Sequence, residues 1–106
     1  MKEMFCNCNN LNYLNIKNFD TSSVENMESM FNSCNSLTTI DVSSFNTKKV
    51  KTFNSMFYDS NELKTLDLSN FDISSLTDAS KMFTGSEKLE YINLQKYNEV
   101  IHLPLD

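Results

Sequence analysis

The dipeptide Met-Phe recurs at Met4-Phe5, Met30-Phe31, Met56-Phe57 and Met82-Phe83, each 26 residues after the last. The same interval relates Leu11, Leu37, Leu63 and Leu89, then Leu14, Ile40, Leu66 and Ile92. It also relates Ile16, Val42, Leu68 and Leu94, and after them Phe19, Phe45, Phe71 and Tyr97. Val24, Val50 and Leu76 keep the phase, as do Met27, Phe53 and Ala79. So many apolar columns in one register, without an insertion, mean that one small unit is repeated and stacked. A lone unit cannot bury its own apolar side chains, so its neighbours must cover them. The 106 residues then form a single domain. It comprises a partial repeat at 1–3, repeats at 4–29, 30–55 and 56–81, and an atypical last repeat at 82–106.

Two periods alternate within each unit. The stretch Leu63-x-x-Leu66-x-Leu68 ends in alternation, which suits a short strand with one buried face. From Leu76 through Ala79, Met82 and Phe83 to Ser86 the steps are three, three, one and three, the spacing of an apolar stripe on a helix. Ser22 with Glu25, and Ser75 with Asp78, have the spacing of a capping box at the start of such a helix. In the second unit Lys48, Lys49 and Lys51 sit at that start, where the helix dipole disfavours cations. With one glycine and one proline in the chain, the turns fall to the abundant Asn, Asp and Ser. Strands joined through helices on one side run parallel. The expected fold is therefore α/β: a right-handed leucine-rich-repeat solenoid with a parallel sheet on one face and short helices on the other.

The run Met30-Phe31-x-x-Cys34-x-x-Leu37-x-x-Ile40-x-Val42-Ser43-x-Phe45-x-Thr47-x-x-Val50 resembles the 26-residue bacterial surface-protein repeat of the BspA-like leucine-rich-repeat proteins. The resemblance covers residues 1 to about 97. It implies a cell-surface or extracellular location, a role in adhesion and protein binding, and no catalytic residues. The last unit departs from the pattern, with His102, Pro104 and Leu105 at the positions of Leu76, Asp78 and Ala79 one repeat earlier. Met1 stands in the core column of Met27, Phe53 and Ala79. A chain that starts inside a unit, without a polar cap, suggests a fragment of a longer array.

Composition narrows the partners. Net charge is −5, and all nine basic residues are lysines. A chain without arginine lacks the bidentate fork that reads guanine, and its acidity opposes a phosphate backbone, so nucleic acid is not an expected partner. No apolar run reaches the ~18–20 residues of a membrane span, and no charged-then-apolar leader opens the sequence as given. This segment is not expected to insert into a membrane.

The outward face of the strands is the candidate site. Its columns are Tyr13, Thr39, Thr65, Tyr91, then Asn15, Asp41, Asp67, Asn93, and beyond them Lys17, Ser43, Ser69, Gln95. The resemblance implies partner binding on this concave sheet, and aromatic hydroxyls with short polar groups suit a protein ligand or a glycan. Asp41 and Asp67 would be stacked carboxylates, but an open face that admits water favours solvated ladder residues over acid–base chemistry. Cys8 and Cys34 share an inward column that continues as Ser60 and Ser86, so that column requires neither a metal nor a disulfide. Met4, Met27, Met30, Met56 and Met82 recur beside Phe and read as core packing, and the lysine cluster reads as a solvated helix end. No cofactor, metal or catalytic residue is expected. The leading expectation is a non-catalytic, adhesion-type protein-binding module. A structural spacer repeat without a ligand is the alternative, and a carbohydrate-active β-helix the enzymatic one.

Overall fold

The computed structural model of the chain describes residues 1–93. Successive units lie side by side in the 26-residue register. Parallel bridges join Asn26 to Thr52 and Thr52 to Asp78 on one side, and Thr39 to Thr65 on another. Two strands, β1 (Thr65–Asp67) and β2 (Tyr91–Asn93), pair in parallel with Leu66 opposite Ile92. The described body is 32 × 29 × 18 Å. Residues 94–106, with Gln95, Tyr97, His102, Pro104 and Leu105, lie outside the described residues.

The described residues contain no helix, and their one sheet consists of β1 and β2 alone. This overturns the expected right-handed α/β leucine-rich-repeat solenoid with helices behind a sheet. What stands in place of each helix is an arc of linked turns in which backbone donors alternate between two jobs. The N–H groups of Ser29, Phe31 and Ser33 reach forward to the carbonyls of Asn54, Met56 and Tyr58 in the next unit, at 2.7–2.9 Å. Between them, the N–H groups of Met30 and Asn32 close local turns onto Met27 and Ser29. The pattern repeats in the next arc. There Ser55, Phe57 and Asp59 donate to Ser80, Met82 and Thr84, while Met56, Tyr58 and Ser60 turn back onto Phe53, Ser55 and Phe57.

Local chemistry explains the choice. A helix of about a dozen residues is marginal without strong formers. Here the side-chain oxygens of Asn26, Thr52 and Asp78 capture the N–H two residues on, at 2.8, 3.1 and 2.9 Å, which commits the chain to a turn. Left-handed φ values follow at Ser29 and Ser33, at Ser55 and Asp59, and at Lys81 and Gly85. None of these pairs belongs to a continuous right-handed helix. An added Cβ at Gly85, where φ is +81°, would run into the Asp59 carboxylate. The apolar spacing misleads because a run of three-residue turns repeats nearly as a helix does. Met27, Met30, Phe31 and Cys34 are all buried without being helical.

The capping boxes are likewise not formed. Ser22 gives both its N–H and its hydroxyl to Asp20, at 3.0 and 2.6 Å, and Asp78 accepts from Ser80 instead of serving Ser75. The second-unit lysines end no helix: the Lys48 N–H donates to Asn46, and Lys51 pairs with Glu25 at 3.0 Å.

The core fills the space between the arcs and the strand segments. Phe5, Phe31, Phe57 and Phe83 stack in a near-parallel file with centroids 5.7, 5.5 and 5.8 Å apart, offset packing that adds to their burial. Met27, Met30, Met56 and Met82 are buried as expected, but Met4 is 50% exposed. Two polar columns run through the interior. The Cys34 thiol and the Ser60 and Ser86 hydroxyls donate to the carbonyls of Phe5, Phe31 and Phe57 in the preceding unit, which is why that column takes small hydrogen-bonding residues. Buried Thr21 clasps Asn46, and buried Thr47 clasps Asp72: each hydroxyl donates to the carbonyl and accepts from the N–H of the same residue.

Candidate functional site

The outward strand columns are brought together on one exposed face. Tyr13 is 72% exposed, and Asn15, Thr39, Asp41, Thr65 and Asp67 are exposed beside it. A hollow of about 280 Å³ lies against Tyr13, Asn15, Lys17, Thr39 and Asp41. It adjoins a second of about 520 Å³ bordered by Thr39, Asp41, Ser43, Thr65 and Asp67. Thr39 and Asp41 border both, so the two form one shallow trough across successive units. Tyr91 and Asn93 occupy the matching register positions on β2, opposite Thr65 and Asp67.

The acidic column has a structural task that its spacing alone did not disclose. Asp41 Oδ1 accepts the Ser43 N–H at 3.0 Å and Asp67 Oδ1 the Ser69 N–H at 2.9 Å, while Asn15 Oδ1 takes the Lys17 N–H at 3.3 Å. Each side chain thus makes an Asx turn, a motif that Asn and Asp make equally. The Ser43 hydroxyl and N–H, with Lys17 nearby, hold the Asp41 carboxyl below its ordinary range. The same device recurs at Asp20, Asn46 and Asp72, which accept from Ser22, Lys48 and Ser74. The expectation that Asn and Asp would make the turns holds at these six residues, while Thr52 makes the same capture between Asn26 and Asp78.

The cysteines sit away from the trough. Cys6 and Cys8 are half-buried and Cys34 is buried; burial above all pushes the Cys34 thiol up to about 11. Burial is also the main cause of the raised value at Cys6. Thiols so shifted are poor nucleophiles and poor ligands at neutral pH. Among the described residues, no three His, Cys, Asp or Glu side chains converge as metal ligands, and no helix is long and apolar enough to cross a membrane. The threonine clasp and the forward-donating arcs escaped the sequence reading. The clasp had one legible trace, Thr21 and Thr47 exactly one unit apart in otherwise polar turns.

The geometry defines a class: a stacked-repeat body with a buried apolar core and a shallow trough along its outward columns. The chain belongs to the family described as "Mycoplasma protein of unknown function, DUF285", whose pattern matches residues 1–100. No curated protein and no solved structure matches it.

Proposed function

We propose that this chain is a non-catalytic, adhesion-type module of a surface protein, akin to the BspA-like surface repeats, that binds a protein partner along the strand-face trough. The observation that carries this reading is Tyr13: a large aromatic ring, 72% exposed, bordering the trough. A tyrosine left in water has no packing reason to be there, and tyrosine combines apolar area with a hydroxyl at low entropic cost on binding. Thr39 and Thr65 supply short hydroxyls on the trough floor, and Asp41 and Asp67 supply carboxylates fixed in place by their Asx turns. Such preorganised groups lose little freedom on binding. The location that accompanies this role is the cell surface or extracellular space.

The test is to probe the chain against immobilised extracellular proteins and glycans, then repeat with Tyr13→Ala and Asp41→Asn. Asparagine keeps the Asx turn, as Asn15 does in the first unit, so the variant alters charge without altering the fold. A protein hit weakened tenfold or more by Tyr13→Ala supports the reading. Hits on glycans alone would reassign the partner. Binding indifferent to both substitutions, or none at all, would leave the repeat a spacer.

A further inference from the structure

The second and third units each have a neighbouring unit on both sides, and the larger hollow of the trough lies between them. Thr39 bridges to Thr65 in parallel, which sets Asp41 beside Asp67 at the next outward position. Backbones so paired run about 5 Å apart, close enough for one bound group to meet both carboxylates. Among the described residues, no lysine borders this hollow, while Lys17 borders the smaller one, which shares Asp41. Along its lining the trough sets two carboxylates against one ammonium group.

The charge is not a by-product of the turns. Asn15 and Asn46 close the same Asx turn with a neutral amide, at 3.3 and 3.1 Å. Aspartate at 41 and 67 thus adds a negative charge that the backbone geometry does not require. The turns in return hold each carboxylate in place, through the Ser43 and Ser69 N–H groups at 3.0 and 2.9 Å. A carboxylate already oriented loses little freedom when a partner arrives. The Ser43 hydrogen bonds, with Lys17 nearby, also favour the ionised form of Asp41. Thr39 and Thr65, beside the carboxylates, each carry a methyl as well as a hydroxyl. Lysine and arginine lay aliphatic stems on such surface while their charged ends reach for carboxylates. An acidic group of a partner would meet repulsion here.

We propose that the larger hollow is a subsite for a basic side chain of the protein partner. The arginine or lysine head sits between Asp41 and Asp67, and its aliphatic stem lies on Thr39 and Thr65. This subsite presupposes the strand-face trough as the binding surface and adds to it the chemistry of the partner.

The probe is the peptide acetyl-Gly-Arg-Gly-Arg-Gly-amide, whose guanidinium groups leave an extended chain on one side. Titration into the isotopically labelled 106-residue protein, followed by amide NMR, should shift Thr39, Asp41, Thr65 and Asp67 saturably. Replacing both arginines by citrulline, which keeps shape and removes charge, should weaken binding roughly fivefold or more, as should Asp41→Asn or Asp67→Asn. The amide spectrum itself verifies that each variant is folded. Asp20→Asn removes the same charge from an Asx turn of another column and should leave affinity unchanged, which separates the subsite from attraction to net charge. No shift at these amides, equal affinity for the citrulline peptide, or an equal loss in Asp20→Asn overturns the proposal. A protein partner weakened by Tyr13→Ala but indifferent to Asp41→Asn and Asp67→Asn would reject the basic subsite and keep the trough.

Discussion

The arc side and the strand side of this molecule are built from the same 26-residue register, yet they are joined differently. Along the arcs, backbone bonds cross every interface from the first unit to the fourth, beginning with the Met1 amino group on Asn26 at 3.1 Å and ending with the Asp59 N–H on Thr84 at 2.8 Å. Along the strands, pairing begins only at Thr39 with Thr65 and becomes a ladder between β1 and β2. Among the described residues, no backbone–backbone bond ties 11–16 to 37–42. Side-chain bonds flank that stretch instead, from the Ser36 hydroxyl to the Asn9 carbonyl and from the Ser44 hydroxyl to the Ile16 carbonyl. The arcs therefore act as the spine, and the strand face at Tyr13 is the least anchored part of the candidate site. Binding residues can sit on lightly held backbone when a rigid element behind them sets their spacing.

Substitutions can break or sharpen this contrast. The largest effect is expected from Leu66→Asp, which places a carboxylate without a partner at a buried position on β1. Loss of the cooperative melting transition is expected, and a midpoint near that of the parent would show that the strand side contributes little. Next, Phe57→Ala removes the ring that stacks on both Phe31 and Phe83 and should cost about 3–5 kcal/mol in denaturant unfolding. Leu14→Ala, at a half-buried position of the first unit, should cost clearly less. Equal losses would erase the distinction between spine and face.

A smaller effect attaches to the clasp. Thr47→Val keeps shape but leaves the Asp72 N–H and carbonyl without their partner, for a loss of about 1–3 kcal/mol. The third unit already carries Ile73 at this position, so the clasp matters only where it is present, and Ile73→Val should be nearly silent in the same assay.

The smallest effect is in acid. Hydrogen bonds from Ser22, Ser43 and Ser80 and the Lys51 ion pair lower the carboxyl pKa values of Asp20, Asp41, Asp78 and Glu25. Groups lowered in the folded state contribute stability that is complete above their unfolded pKa values and lost as pH falls through the folded ones. Denaturant midpoints should therefore hold from neutrality down to about pH 4–5 and decline below. Asp20, Glu25 and Asp41 are exposed and Asp78 is half-buried, so the slope should be shallow, and it should shrink further in Asp41→Asn. A midpoint that rises on acidification would contradict the Asx assignments.

Much of this was legible beforehand because burial imposes period on sequence. Leu37, Ile40, Val42, Leu63, Leu66 and Leu68 are core residues where the columns place them, and the outward residues Tyr13, Thr39, Asp41, Thr65 and Asp67 are exposed on one face. The helix was not legible, because steps of three fit a helix and linked turns alike. The deciding residues are polar ones whose spacing says nothing about the core: Asn26, Thr52 and Asp78, which capture an N–H, and Ser33, Asp59 and Gly85, which take a left-handed φ. The carboxylates at 41 and 67 were legible as surface groups but not as turn formers, since an Asx bond depends on a backbone direction that sequence does not display.

The alternation of amides along each arc also bears on how such proteins change length. Deleting one residue between Met27 and Cys34 would exchange odd for even from that point on, aiming inward-turning donors outward and outward ones inward. Viable insertions and deletions in the arcs should thus come as whole units of 26, so that these chains grow or shrink by copying complete rungs.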